Sequence, residues 1–261
     1  MIPMLIHSIH SEFKKIVSKH LTVSLILGLT LFVPLISFAL IGVSRSTLIA
    51  DSSIVDSAMQ KPEDMLLLIF RSGNLFCALL GTLMVTTEYG AGAIYRTYST
   101  FRNRIVALFG KLIVLKAFVF LAGMIASISS ITILNLSGIE SLRIEKPLFL
   151  VLCYVLNNLM VALFSYSISL LLSNTVPALV TTFGVLYILP DAIRIILGYF
   201  APQAASLYRY LPSSAASAGI EKTILGNSYS GIDPAVGIVV TAVISLALLF
   251  IGFIVQQKKD I

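Results

Sequence analysis

The sequence predicts an all-α integral membrane protein: six transmembrane helices behind an N-terminal amphipathic helix. Three observations predict it. First, 57% of the 261 residues are hydrophobic, 11% are charged, and the mean hydropathy is +0.98; a soluble domain carries about 25% charged residues. Second, six apolar stretches, at about 21–43, 66–87, 105–135, 147–172, 178–198 and 235–256, each match or exceed the roughly 20 residues a helix needs to cross a hydrocarbon core of about 30 Å. Third, what remains between them is too short for a soluble catalytic domain. The net charge of +6 fits the excess of Lys and Arg expected on the cytosolic face of a membrane protein, and is not read as a nucleic-acid signal.

Residues 1–20 form the first element. Ile2, Leu5, Ile6, Ile9, Phe13, Ile16 and Val17 recur at helical spacing, and His7, Ser8, Ser11, Lys14, Lys15, Ser18 and Lys19 fill the rest of the surface. This is the pattern of an amphipathic helix lying in the membrane interface, apolar side down, with its lysines near anionic headgroups. The stretch after it, about 21–43, is longer than a signal-peptide core of about 7–15 residues and lacks a small-residue cleavage site, so it reads as a retained span. Pro34 is expected to kink it.

Residues 44–65 read as an external connection carrying Asp51, Asp56, Glu63 and Asp64. Span two ends at Glu88. Gly90 and Gly92 then break the helix, and Ala93 to Thr97 can form a short helix parallel to the membrane. Arg96, Arg102 and Arg104 make segment 88–104 basic, and Lys111 follows inside the next span. Residues 136–146 read as external. In span four, Asn157 and Asn158 suit helix–helix hydrogen bonds. Ser173 to Pro177 is a tight cytosolic turn. In span five, Asp191 and Arg194 stand one helical turn apart and should pair. Segment 199–234 is punctuated by Pro and Gly; within it, Ala204–Tyr210 and Ser213–Leu225 read as short helices that dip back between protein walls.

With both termini cytosolic, ten basic residues fall inside and eight outside. The local contrast is sharper, because both termini and the 88–116 region are basic. Few ionisable residues approach the membrane: Arg71, Lys116, Asp191 and Arg194. Such residues are functional suspects by default, although those near a boundary can snorkel.

The inventory excludes several chemistries. All three histidines lie within the first 20 residues, so no histidine relay or metal site can be built inside the membrane. No catalytic, cofactor-binding or metal-binding residue is assigned. Cys77 and Cys153 fall within spans and read as packing residues. No Gly-x-x-x-x-Gly-Lys-Ser/Thr phosphate loop is present, so ATP-driven work would need a separate polypeptide.

Glu88-x-x-x-Gly92-Ala93, then Arg104, then Lys111 is similar to the span two–three signature of the type-2 ABC exporter permeases. The resemblance extends over the whole chain. It includes the N-terminal helix, the six spans and Tyr210-Leu211-Pro212-Ser-Ser before the last span, which looks like the family's Leu-Pro-Ser/Thr phrase. Ala93 stands where threonine is commoner in the family, and Phe101 where proline is frequent. The resemblance implies a half-transporter that pairs with a second permease, identical or paralogous, and with two cytosolic ATPase subunits that bind ATP and magnesium. It further implies that the loop of Glu88, Gly92, Arg96, Arg102 and Arg104 carries a coupling helix set into an ATPase cleft. Phe13, Lys14, Lys15 and Lys19 would belong to the elbow beside it, and Tyr210, Leu211 and Pro212 to an external gate. The mostly Leu, Ile, Val, Phe and Tyr surfaces of the spans suit an amphipathic or lipophilic cargo. The alternatives are a membrane component that binds and senses a ligand without pumping, and an intramembrane enzyme.

Overall fold

The computed structural model describes residues 2–49, 62–90, 104–138, 144–226, 229 and 231–258. Gly92, Arg96 and Arg102 lie outside the described residues, as does the side chain of Arg104.

Among the described residues every regular element is helical. Helix α1 spans Ile2–Ser18, α2 His20–Ile49, α3 Pro62–Gly90, α4 Arg104–Leu136 and α5 Pro147–Leu172. Helix α6 covers Thr175–Phe200. A 3₁₀ segment, Pro202–Tyr210, leads to α7, Pro212–Leu225, and α8 is Pro234–Lys258. Helices α2 to α6 and α8 are each long and apolar enough to cross a membrane, which makes this a multi-pass membrane protein.

Helix α5 is the axis of the bundle. It packs on α3, α4, α8 and α7, and 67% of its most apolar stretch is buried, against 17% for α6. The sequence explains the close packing. At Gly81 of α3, a Cβ would lie 2.6 Å from the Ala162 carbonyl oxygen of α5, so only glycine lets the two backbones approach. The core fills in with Leu29, Cys77, Leu80, Leu108, Val161, Phe164 and Tyr166. Both cysteines are free and buried. Asn157 donates from Nδ2 to Asn74 Oδ1 of α3 at 2.5 Å, as span-four asparagines were expected to do. Asn158 is equally buried but makes no such bond among the described residues.

The breaks follow residue chemistry. α5 stops at Ser173, which takes φ 56° and donates its N–H to Ser169 O. Asn174 then caps α6, accepting from the Val176 N–H at 3.4 Å. α6 widens into a π-turn at Gly184–Ile188, where the Leu189 N–H donates to Gly184 O. The wide turn falls just ahead of Pro190, which supplies no N–H and whose ring crowds the preceding turn. α2, by contrast, runs through Pro34 as one helix.

Candidate functional site

The last turn of α3 places Glu88 and Tyr89 on different sides of the helix, because successive residues on a helix point about 100° apart. Glu88 turns towards α1 and α4. There it accepts from Lys111 Nζ of α4 in a short, buried ion pair and from Lys15 Nζ of α1 at 3.3 Å. Lys15 also reaches Glu12, one turn back along α1, at 2.8 Å. Lys111 and Glu88 are 1% and 4% exposed, and Glu12 is 3% exposed. Two carboxylates and two ammonium groups thus form a neutral network across three helices, buried at Glu12, Glu88 and Lys111 and open to water only at Lys15, which is 35% exposed. Burial alone would push the Lys15 pKa down, but Glu12 and Glu88 together hold it above its ordinary 10.5.

Tyr89 turns the other way. Its hydroxyl donates to Gln256 Oε1 near the end of α8. The same Gln256 donates through Nε2 to Leu170 O and, at 3.0 Å, to Ser173 Oγ. Two adjacent residues therefore tie α3 to α1 and α4 on one side and to α8 and the α5–α6 turn on the other. Nearby, the Tyr166 hydroxyl donates to Leu108 O at 2.8 Å, linking α5 to α4.

Helix α1 docks on the bundle through a polar line. Ser8, Glu12 and Ile16 face the protein and are buried, whereas Ile6, Phe13 and Val17 are half or more exposed. Ser8 and Lys15, part of the helix surface that the apolar stripe leaves over, belong to the docking face. The cause is the partner: Lys111 is a buried cation on α4, and the polar line of α1 matches it. At Gly110 a Cβ would overlap Ser8 Oγ and lie 2.9 Å from Ser8 Cβ, so glycine admits the helix there. Phe13 stacks on Phe118 of α4 with ring centroids 5.4 Å apart. Lys14 and Lys19 are exposed.

Of the residues singled out from sequence, the structure brings Glu88, Lys15 and Lys111 together. It starts α4 at Arg104. Tyr210, Leu211 and Pro212 sit at the joint between the 3₁₀ segment and α7, where the Leu211 N–H donates to Tyr208 O at 3.1 Å. Pro212 is buried, and its carbonyl accepts from Thr241 Oγ1 of α8 at 3.3 Å. Lys116 is half-buried. Arg194 and Asp191 pair at 3.5 Å. Glu12, Tyr89 and Gln256 escaped sequence reading. Glu12 left one signal, being the only acid in the first 20 residues and one turn before Lys15. Among the described residues no group of three or more metal-ligating side chains converges.

No protein-family model matches the chain, and no curated protein matches it.

Proposed function

We propose that this chain is the transmembrane permease subunit of an ATP-binding-cassette exporter. It moves an amphipathic or lipophilic cargo (a peptide, drug or lipid) outward across the cell membrane, with both termini cytosolic. It performs no chemistry itself: ATP and magnesium belong to two cytosolic ATPase subunits, and a second permease, identical or paralogous, completes the pore. Lipid surrounds the assembly, and nucleic acid has no part in it.

The observation that carries this reading is the pair Glu88 and Tyr89 at the foot of α3. They gather the ends of α1, α3, α4 and α8 and the α5–α6 turn immediately beside segment 91–103. A buried ion-pair network resists distortion, because separating its members leaves uncompensated charge out of water. A push delivered to that segment would therefore shift several helices as a unit instead of being absorbed locally. The basic residues of the segment, Arg96 and Arg102, supply charge for a partner surface, and the absent phosphate loop assigns the energy source to that partner.

Reconstitution with its ATPase tests the reading. ATP hydrolysis should rise with amphipathic peptides or lipids and not with sodium or sugars. ATP-driven movement of sodium or a sugar, with no response to amphiphiles, contradicts it. The second reading, a ligand-sensing component that does not pump, draws on the polar chamber at the Arg71 end described next. It predicts ligand binding with no ATP-dependent movement.

A further inference from the structure

At the end of the bundle opposite Glu88, a chamber of about 380 Å³ opens between α3, α6, the 3₁₀ segment and α7. Two walls carry charge of both signs. On the α3–α7 wall, Arg71 pairs with Glu221 and donates to Ser217 Oγ at 3.2 Å, while Ser217 Oγ donates to Glu221 Oε1 at 2.7 Å. On the α6 wall stand Asp191 and Arg194. Arg209 completes the lining, its guanidinium 5.9 Å from the Tyr208 ring centroid.

Among the described lining residues there are three guanidinium groups and two carboxylates. A simple anion placed there would meet Glu221 and Asp191, and a simple cation would meet the arginines. A ligand carrying both signs uses both. The volume sits at the small end of the roughly 300–1,000 Å³ of small-molecule pockets. That is room for a polar headgroup and not for hydrocarbon tails. The tails have somewhere to go, since α6 carries Ile188 and Ile195, each more than half exposed, within about a third of a turn of the lining residues Asp191 and Arg194. A polar chamber next to an uncovered apolar helix face is the shape of an amphiphile.

We propose that this chamber holds the headgroup of a zwitterionic lipid, with its phosphate on the guanidinium groups of Arg71, Arg194 and Arg209 and its ammonium on Asp191 and Glu221. The two ion pairs already present, Arg71–Glu221 and Arg194–Asp191, offset four of the five charges and leave the chamber open to exchange, because exposed pairs cost little to separate. The site deepens the proposed export reading by naming a cargo class. It rests on that reading only for the direction of movement; binding belongs to this chain alone.

Native mass spectrometry of the purified chain in detergent tests it, with phosphatidylethanolamine, phosphatidylglycerol and soluble glycerophosphoethanolamine as probes. The zwitterionic lipid should be retained about tenfold more tightly than phosphatidylglycerol, and the soluble headgroup should fail to displace it at equal concentration. An Asp191→Asn, Arg194→Gln variant should abolish that preference. Both residues are exposed, so the variant removes no core contact, and an unchanged melting curve verifies the fold. Equal or tighter binding of phosphatidylglycerol overturns the proposal. So does an unchanged preference in the variant, and displacement by the soluble headgroup overturns the assignment to lipid. None of these results bears on whether an ATPase co-purifies, which is the separate mark of the exporter reading.

Discussion

The two ends of the bundle use the same chemistry to opposite effect. At the Glu88 end, carboxylate and ammonium are sealed, with Lys111 1% exposed and Glu88 4%. At the Arg71 end, the pair with Glu221 is 47% and 21% exposed, and Asp191 and Arg194 more so. Water decides the difference. A buried pair cannot part without stranding charge in a low dielectric, so it acts as a fixed joint. An exposed pair exchanges its partner for water or a ligand at little cost, so it acts as an open site.

The largest effect should come from breaking the joint. Lys111→Met takes from Glu88 its buried cation and should cost about 3–5 kcal/mol, read as lost thermal stability in detergent. Glu88→Gln combined with Lys111→Met removes both charges and should recover most of that loss, because the buried charge that remains, Glu12, keeps its partner Lys15. If the double variant is as unstable as the single one, the joint owes its strength to packing and not to charge, and the contrast between the ends fails.

Arg71→Gln is the matching change at the other end. Its pair is exposed, and the expected cost is about 1 kcal/mol or less. A loss as large as that of Lys111→Met would show that the Arg71 end is also sealed, for example by a second copy of the chain.

A smaller effect sharpens the role of α1. Glu12 and Glu88 raise the Lys15 pKa above 10.5, so the folded pKa exceeds the unfolded one. Its contribution to docking α1 is complete below the ordinary lysine value and fades only as pH climbs through the raised one. Hydrogen exchange of α1 backbone amides, corrected for intrinsic rate, should show equal protection at pH ~6 and ~9. Protection that falls across that interval would place another group in control.

Much of this architecture was legible in the sequence, for reasons that differ by element. The spans were visible because a bilayer demands length and apolarity, and both are local properties. The turn at Ser173 and the short helices before α8 were visible because Asn174, Pro202 and Pro212 act on their own backbone. Asp191 and Arg194 were paired correctly because one helical turn separates them. Arg71 and Glu221 were not, because 150 positions separate them and only the packing of α7 on α3 brings them together. The same holds for Tyr89 and Gln256, 167 positions apart. The docking face of α1 was not legible, because the apolar stripe is the stronger local pattern and the docked polar line is matched to one buried lysine on another helix. Gly92, Arg96 and Arg102 stand as sequence readings alone.

The central claim is that the Glu88 end receives motion from an ATPase through segment 91–103. Affinity purification of the tagged chain from its native membrane tests it most directly, beside a variant carrying Arg96→Glu and Arg102→Glu. A nucleotide-binding subunit should accompany the unaltered chain and be lost from the variant, with equal amounts of both chains inserted in the membrane. Absence of any such subunit from the unaltered chain, or its undiminished retention by the variant, would contradict the account.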